Sequence, residues 1–338
     1  MDMSNDPSAE ITAHRDTKRP KIGLVLGSGM ARGWAHIGVI RALARHGIKA
    51  DIVSGTSMGA LVGGAHLSNK LDELEEWATS LSKMKIMSYL DVRVRSGGMI
   101  GGKKLLSLME DNFGDIRIED LPKPMVAIAT DMVTGHEVWL RKGRLVDVMR
   151  ASFAVPGVFP PVWNKNRWLI DGALVNPVPV SVCQALGASM TIAVNLSGDI
   201  IGKARRPGTS IPTIAGFDPL ADDPENREQV KKVKRQSWAR RIFKRDPNSP
   251  SLFGVMVSAM NIAQDRLTRS RLAGEPPDVH ITPRIGHIGL MEFERAEDII
   301  QAGEAAVERA LPDIRDAYDV LCTPPDIRDE NEHGGWFK

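Results

Sequence analysis

The stretch Ala50-Asp51-Ile52-Val53-Ser54-Gly55-Thr56-Ser57-Met58-Gly59-Ala60-Leu61-Val62-Gly63-Gly64-Ala65 decides the reading of this chain. Its first five residues read as a short strand and its last six open a helix. Between them stands Gly55-Thr56-Ser57-Met58-Gly59. A serine between two glycines at a strand-to-helix turn is a nucleophile elbow. The turn is so tight that the neighbouring backbones pass only where a Cβ is missing, and the serine hydroxyl is lifted towards a cleft. G-x-S-x-G is common by chance, so the motif needs support from its surroundings.

Upstream, Ile22-Gly23-Leu24-Val25-Leu26 is a buried-strand run. It leads through Gly27-Ser28-Gly29-Met30-Ala31-Arg32-Gly33 into Ala35 to His46, where Ile37, Ile40, Leu43 and Ala44 recur at helical spacing. The order is β-α-β-α, the pattern of a mainly parallel sheet covered by helices. Further on, helices are expected over 71–87, 103–113 (after the glycine cluster of Gly97, Gly98, Gly101 and Gly102), 145–152, 178–186, 252–272 and 293–311, the last ended by Pro312. Strands are expected over 125–130, 136–140, 168–171 and 191–196, the last closing the sheet, with a short one at 279–281. Residues 155–161 read as a rigid proline-rich loop.

At 338 residues, with 42% hydrophobic and 25% charged residues, the composition is that of a soluble globular protein. A net charge of +2 argues against a nucleic-acid partner. Cys183 and Cys322, the only cysteines, are too few for a disulfide framework or a cysteine-bound zinc. The polar N-terminus lacks a signal-peptide core. Residues 1–20 read as a disordered tail, 21–196 as the catalytic unit, 197–250 as an inserted loop or lid, 251–322 as a helical extension packed on the core, and 323–338 as a polar tail. Within the insertion, Lys231 to Arg245 carries eight basic residues and no acidic one. That run is a candidate contact with an anionic membrane, and equally a solvated loop. The expected location is the cytoplasm, with a peripheral foothold on the inner face of the membrane.

Gly27 to Gly33 admits two chemistries. A dinucleotide fingerprint G-x-G-x-x-G fails by one residue, because Arg32 occupies the place of the third glycine. The same backbone can instead offer the amides of Gly27, Ser28, Gly29 and Met30 to an oxyanion, with Arg32 fixing the loop or drawing in an anionic head group. The third element is Asp171-Gly172-Ala173 at a strand's carboxyl end, 114 residues beyond Ser57. It suits a general base, although taken alone an aspartate at such a place is more often a cap of a turn or of the next helix. A Ser-His-Asp triad would draw on His280, His287 or His333, none singled out by spacing; His36, near the glycine loop, reads as a packed residue. A Ser57–Asp171 dyad is favoured.

These segments, together with the proline-rich Ala151 to Pro161, resemble the patatin-like phospholipase family over residues 21–196, and most closely its bacterial members related to neuropathy target esterase. The resemblance implies a three-layer α/β/α fold, Ser57 as nucleophile, Asp171 as base and Gly27–Met30 as the oxyanion hole, with Arg32, Gly33, Gly55, Gly59 and Gly172 as supporting positions. It implies an acyl hydrolase of phospholipids or lysophospholipids that needs no cofactor or metal. Two departures are visible. Alanine follows Asp171-Gly172 where many members have glycine, and the glycine loop is one residue longer than in plant patatins. A regulatory protein that has kept the fold without hydrolysis, and a nucleotide-binding oxidoreductase, are the competing readings.

Overall fold

The computed structural model describes residues 20–89, 103–199 and 252–322. A single eight-stranded sheet is built from β1 (Ile22–Leu26), β2 (Ile52–Thr56), β3 (Met125–Asp131), β4 (Glu137–Leu140), β5 (Val162–Asn164), β6 (Arg167–Asp171), β7 (Met190–Val194) and β8 (Val279–Ile281). Its order is β5-β6-β3-β2-β1-β7-β8, with β4 paired to β3. The β3-β2-β1-β7-β8 part is parallel, while β4 and β6 run antiparallel to β3 and β5 antiparallel to β6.

β1, β2, β3 and β7 are buried along their whole length, as expected of parallel strands covered on both faces. Side chains alternate between two cores. Leu24 and Leu26 pack into the larger one with Trp34 and Ile37, while Val25 joins Val180 and Cys183 on the opposite face. The larger core holds α1 (Ala35–Arg45), α2 (Met58–Leu67) and the C-terminal helix; α7 (Val180–Ala185) covers the other face. This is the three-layer α/β/α arrangement.

The remaining helices are α3 (Leu71–Thr79), α4 (Lys83–Tyr89), α5 (Lys103–Phe113), α6 (Leu145–Ser152), α8 (Leu252–Gly274) and α9 (Ala296–Leu321). Helix α9 lies against α1 at backbone contact: a Cβ on Gly38 would meet the Ile300 carbonyl oxygen at 2.0 Å, and one on Gly303 that of Ala35 at 2.1 Å. The C-terminal segment is therefore part of the core.

Three expectations need correction, and one strand was missed. Residues 71–87 are two helices. Thr79 and Ser80 turn their hydroxyls back onto carbonyls of the preceding turn, and the Ser82 hydroxyl accepts the Lys85 amide to start α4. Pro312 does not end α9, which continues to Leu321 and buries Ile314 beyond the proline. The lost N–H costs one hydrogen bond, and the apolar face outweighs it. The sheet does not close at β7, because β8 pairs beside it. Finally, β5 extends the sheet through a hairpin whose turn residues, Lys165 and Asn166, both have positive φ, 45° and 62°. The glycine cluster at 97–102, most of the 197–250 insertion including Lys231 to Arg245, both tails and His333 lie outside the described residues.

Candidate active site

The register of β3 brings the two key residues together. Ile128 pairs with Thr56 of β2 and Trp139 of β4; the next residue, Ala129, pairs with Val138 of β4 and Asp171 of β6. β4 thus holds one edge of β3, while β2 and β6 share the other, meeting end to end. β2 leaves that edge at Ser57, and β6 arrives there at Asp171. The meeting is close: Ser57 Oγ donates to Asp171 Oδ2 at 2.7 Å.

Ser57 has φ 57° and ψ −120°, a strained conformation for a residue with a side chain. The surrounding packing enforces it. A Cβ on Gly59 would stand 2.0 Å from the Leu26 carbonyl oxygen, and one on Gly55 2.6 Å from that of Gly59. Gly172 is equally constrained, since its Cβ would meet the Ile128 oxygen at 2.2 Å. The Ser57 amide donates to Ser152 Oγ at 2.9 Å, and that hydroxyl donates to the Ile128 carbonyl at 2.6 Å. Ser152, at the end of α6 and fully buried, braces the elbow.

Asp171 uses both oxygens. Oδ1 accepts the Ala173 amide at 2.8 Å, capping the short 3-10 turn over Gly172–Leu174, and Oδ2 accepts the Ser57 hydroxyl. One oxygen thus caps the turn while the other holds the serine hydroxyl. Burial raises its pKa to about 7, against the lowering effect of the Ala173 and Ser57 hydrogen bonds.

The glycine loop divides into committed and free donors. Gly27 N–H donates to the Val194 carbonyl at 3.1 Å and Ser28 N–H to that of Pro177 at 2.9 Å, so these two amides hold the loop to its neighbours. They are spoken for by the fold, which corrects their expected place among oxyanion donors. Among the described residues the amides of Gly29 and Met30 have no partner within the chain, and Met30 has φ 48°.

Residues 24–183 match the family model for patatin-like phospholipase, a span that contains the glycine loop, the elbow and Asp171-Gly172. An uncharacterised NTE family protein of Mycobacterium tuberculosis is 35% identical over 334 residues, covering 88% of this chain and 93% of its own. The chain belongs to the patatin-like phospholipase family, in its NTE branch. A second NTE family protein of that organism is 29% identical over 303 residues, 87% of this chain and 47% of its own. The neuropathy target esterase of Drosophila melanogaster is 35% identical over 182 residues, 52% of this chain and 13% of its own.

In this family member the Arg32 side chain is buried and is spent on the backbone. Its Nε and Nη2 donate to the Ile288 carbonyl at 2.9 and 2.7 Å, tying the glycine loop to the C-terminal segment. Gly33 lets that loop lie on α2, since a Cβ there would meet Met58 Cβ at 2.3 Å. His36 is buried against the Gly27 carbonyl at 2.7 Å, and burial lowers its pKa to about 4. It braces the loop. His280 lies on β8, three strands from β2 or about 14 Å.

Ser57 opens into a pocket with about 1140 Å³ of space free of protein atoms, its mouth included. The walls are almost wholly apolar, from Met58 and Leu61 of α2 through Leu74 and Trp77 of α3 to Phe153 and Phe159. The Lys70–Glu73 ion pair, at 2.9 Å and just beyond the end of α2, also lines it. Among the described residues no helix is long and apolar enough to cross a membrane.

Proposed function

We propose that this chain is a serine acyl hydrolase of phospholipids or lysophospholipids, working through a Ser57–Asp171 dyad. The observation that carries the reading is the 2.7 Å hydrogen bond from Ser57 Oγ to Asp171 Oδ2 at the head of an apolar pocket. Ionised Asp171 takes the Ser57 proton as Oγ attacks the ester carbonyl carbon. The amides of Gly29 and Met30 receive the negative charge that develops on the carbonyl oxygen. The ester C–O bond breaks, and the leaving alcohol takes the proton held by Asp171. Asp171 then accepts a proton from water, whose oxygen attacks the acyl carbon. Ser57 regains its proton and the fatty acid is released.

A carboxylate with a pKa of about 7 suits this task, because it is both ionised and basic near neutral pH. The pocket suits the acyl chain. Met58 and Leu61 of α2 stand next to Ser57, and Leu74, Trp77, Phe153 and Phe159 continue the apolar wall.

The test uses a short-chain nitrophenyl ester and a lysophospholipid. Ser57→Ala and Asp171→Asn should each abolish turnover of both substrates in a folded protein. Turnover by Ser57→Ala at the wild-type rate would end this reading.

A further inference from the structure

The turn that carries Asp171 is gripped at two successive carbonyls. Asp171 caps the 3-10 turn Gly172–Leu174 at its start and Val175 closes it, the Val175 and Asn176 amides both donating to the Gly172 carbonyl, at 3.1 and 2.9 Å. The Val175 carbonyl accepts Nε and Nη2 of Arg271 on α8, each at 3.2 Å. The Asn176 carbonyl accepts the hydroxyl of Thr56, the residue before the nucleophile, at 2.8 Å. One short turn is thus tied to the strand of Ser57 on one side and to α8 on the other.

Arg271 is itself fixed in place. Its Nη2 also donates to Glu137 of β4 at 2.8 Å, and its Nη1 to Glu275 at 3.1 Å. Glu137 in turn accepts Trp139 Nε1 at 2.7 Å and Nδ2 of the fully buried Asn176 at 3.1 Å. A planar guanidinium can serve one carbonyl and two carboxylates at once, a geometry that a lysine ammonium does not reproduce.

We infer that Arg271 is a positioning residue of the dyad: by holding the Val175 carbonyl it keeps the turn closed and the Ala173 amide aimed at Asp171 Oδ1. That amide and the Ser57 hydroxyl are the two hydrogen bonds that favour ionised Asp171 against its burial. When the turn loosens, the amide leaves the carboxylate, which then keeps its proton to higher pH. The charged groups on the surrounding elements are engaged elsewhere. Arg167 on the same strand lies 3.9 Å from Asp131 of β3, which holds the Val133 and Thr134 amides. Asp147 and Arg150 of α6 pair at 3.7 Å, Asp265 and Arg269 of α8 at 2.8 Å, and Arg266 of α8 is exposed. Arg271 therefore acts on Asp171 through the backbone of the turn. Its part in turnover rests on the hydrolase reading; its effect on the Asp171 proton does not.

The test follows the Asp171 carboxyl carbon by NMR from about pH 5 to 9 in aspartate-labelled protein, assigned by its absence in Asp171→Asn. The pH profile of nitrophenyl ester hydrolysis is measured beside it. In the parent both midpoints should fall at about 7. Arg271→Gln should move both upward by about one pH unit, the worth of one hydrogen bond. kcat/KM should then fall about tenfold at pH 6 and hardly change at pH 9. Arg271→Lys, which keeps the charge without the fork, should shift the midpoint in the same direction, and Glu275→Gln, which leaves the Val175 contact, should not shift it. If Arg271→Gln does not fold, Arg271→Lys decides. An NMR midpoint that stays at about 7 in the folded arginine variants would overturn the inference. So would an equal loss of kcat/KM at every pH, which is what general weakening of α8 produces. A shifted NMR midpoint in a protein whose parent hydrolyses no ester would count against the hydrolase reading and leave the clamp standing.

Discussion

Ser152 and Ser57 are linked by a hydrogen bond that serves the elbow from behind: the Ser152 hydroxyl receives the Ser57 amide at 2.9 Å while giving its own proton to the Ile128 carbonyl. One buried hydroxyl thus satisfies a donor on the nucleophile and an acceptor on the strand beside it. Ser152→Ala strands both groups, at roughly 1–3 kcal/mol each. Thermal unfolding should shift down by roughly 5–10 °C. With the strained elbow less firmly held, kcat for a soluble ester should fall about tenfold while KM stays near its wild-type value. Steady-state kinetics beside a melting curve checks both.

Asp171 sets the pH dependence. As a base it must be ionised, so kcat/KM should rise with pH through about 7 and then level off. Stability should move the opposite way. The folded-state pKa is raised above the ordinary aspartate value of 3.8, so the folded protein holds a proton that the unfolded chain has released. This contribution is fully present below about 4 and is lost as pH climbs through about 7. Asp171→Asn removes that loss. It should be inactive yet melt above wild type at pH 8, with the gap narrowing towards pH 4. Melting curves across that range provide the check.

Arg32 joins segments far apart in the chain, its Nε and Nη2 both on the Ile288 carbonyl. A lysine cannot reproduce that planar two-point contact. Arg32→Lys should cost about 3 kcal/mol and lower turnover of all esters together, because the glycine loop loosens. Relative rates on anionic and zwitterionic head groups should not change, since the guanidinium is buried. A lipid panel compared between the two proteins tests this.

Leu74 lines the apolar pocket one helical turn beyond Lys70. Leu74→Trp should shorten the usable pocket. Turnover of long-chain esters should drop at least tenfold, while a butyrate ester is hydrolysed as before. A chain-length series provides the measurement.

The parts of this site that were legible in the sequence are those governed by local backbone chemistry. Gly55, Gly59 and Gly172 stand where a strand must pass another backbone without a Cβ, and such positions are marked in the sequence by glycine itself. The parallel sheet was legible because its strands are short apolar runs between helical periods. What escaped depends on contacts between distant segments. Which loop amides remain free is decided by the carbonyls of Pro177 and Val194. The orientation of Arg32 is decided by Ile288, 256 residues away. Ser152 reads as an ordinary serine at a helix end until the register of β3 brings Ile128 beside it. The β5–β6 hairpin did carry a signal, since Asn166 in Asn164-Lys165-Asn166-Arg167 favours positive φ and tryptophans flank the turn on both sides.

The central claim is that Ser57 is acylated and that Asp171, without a histidine, takes its proton. The most direct test is the rate of Ser57 acylation by a nitrophenyl ester, followed by peptide mass in wild type and Asp171→Asn across pH. The account predicts an acyl group on Ser57, formed with a rate that rises through about pH 7 in wild type and falls at least a thousandfold in Asp171→Asn. Acylation at another residue, or wild-type acylation of Ser57 in Asp171→Asn, would contradict it.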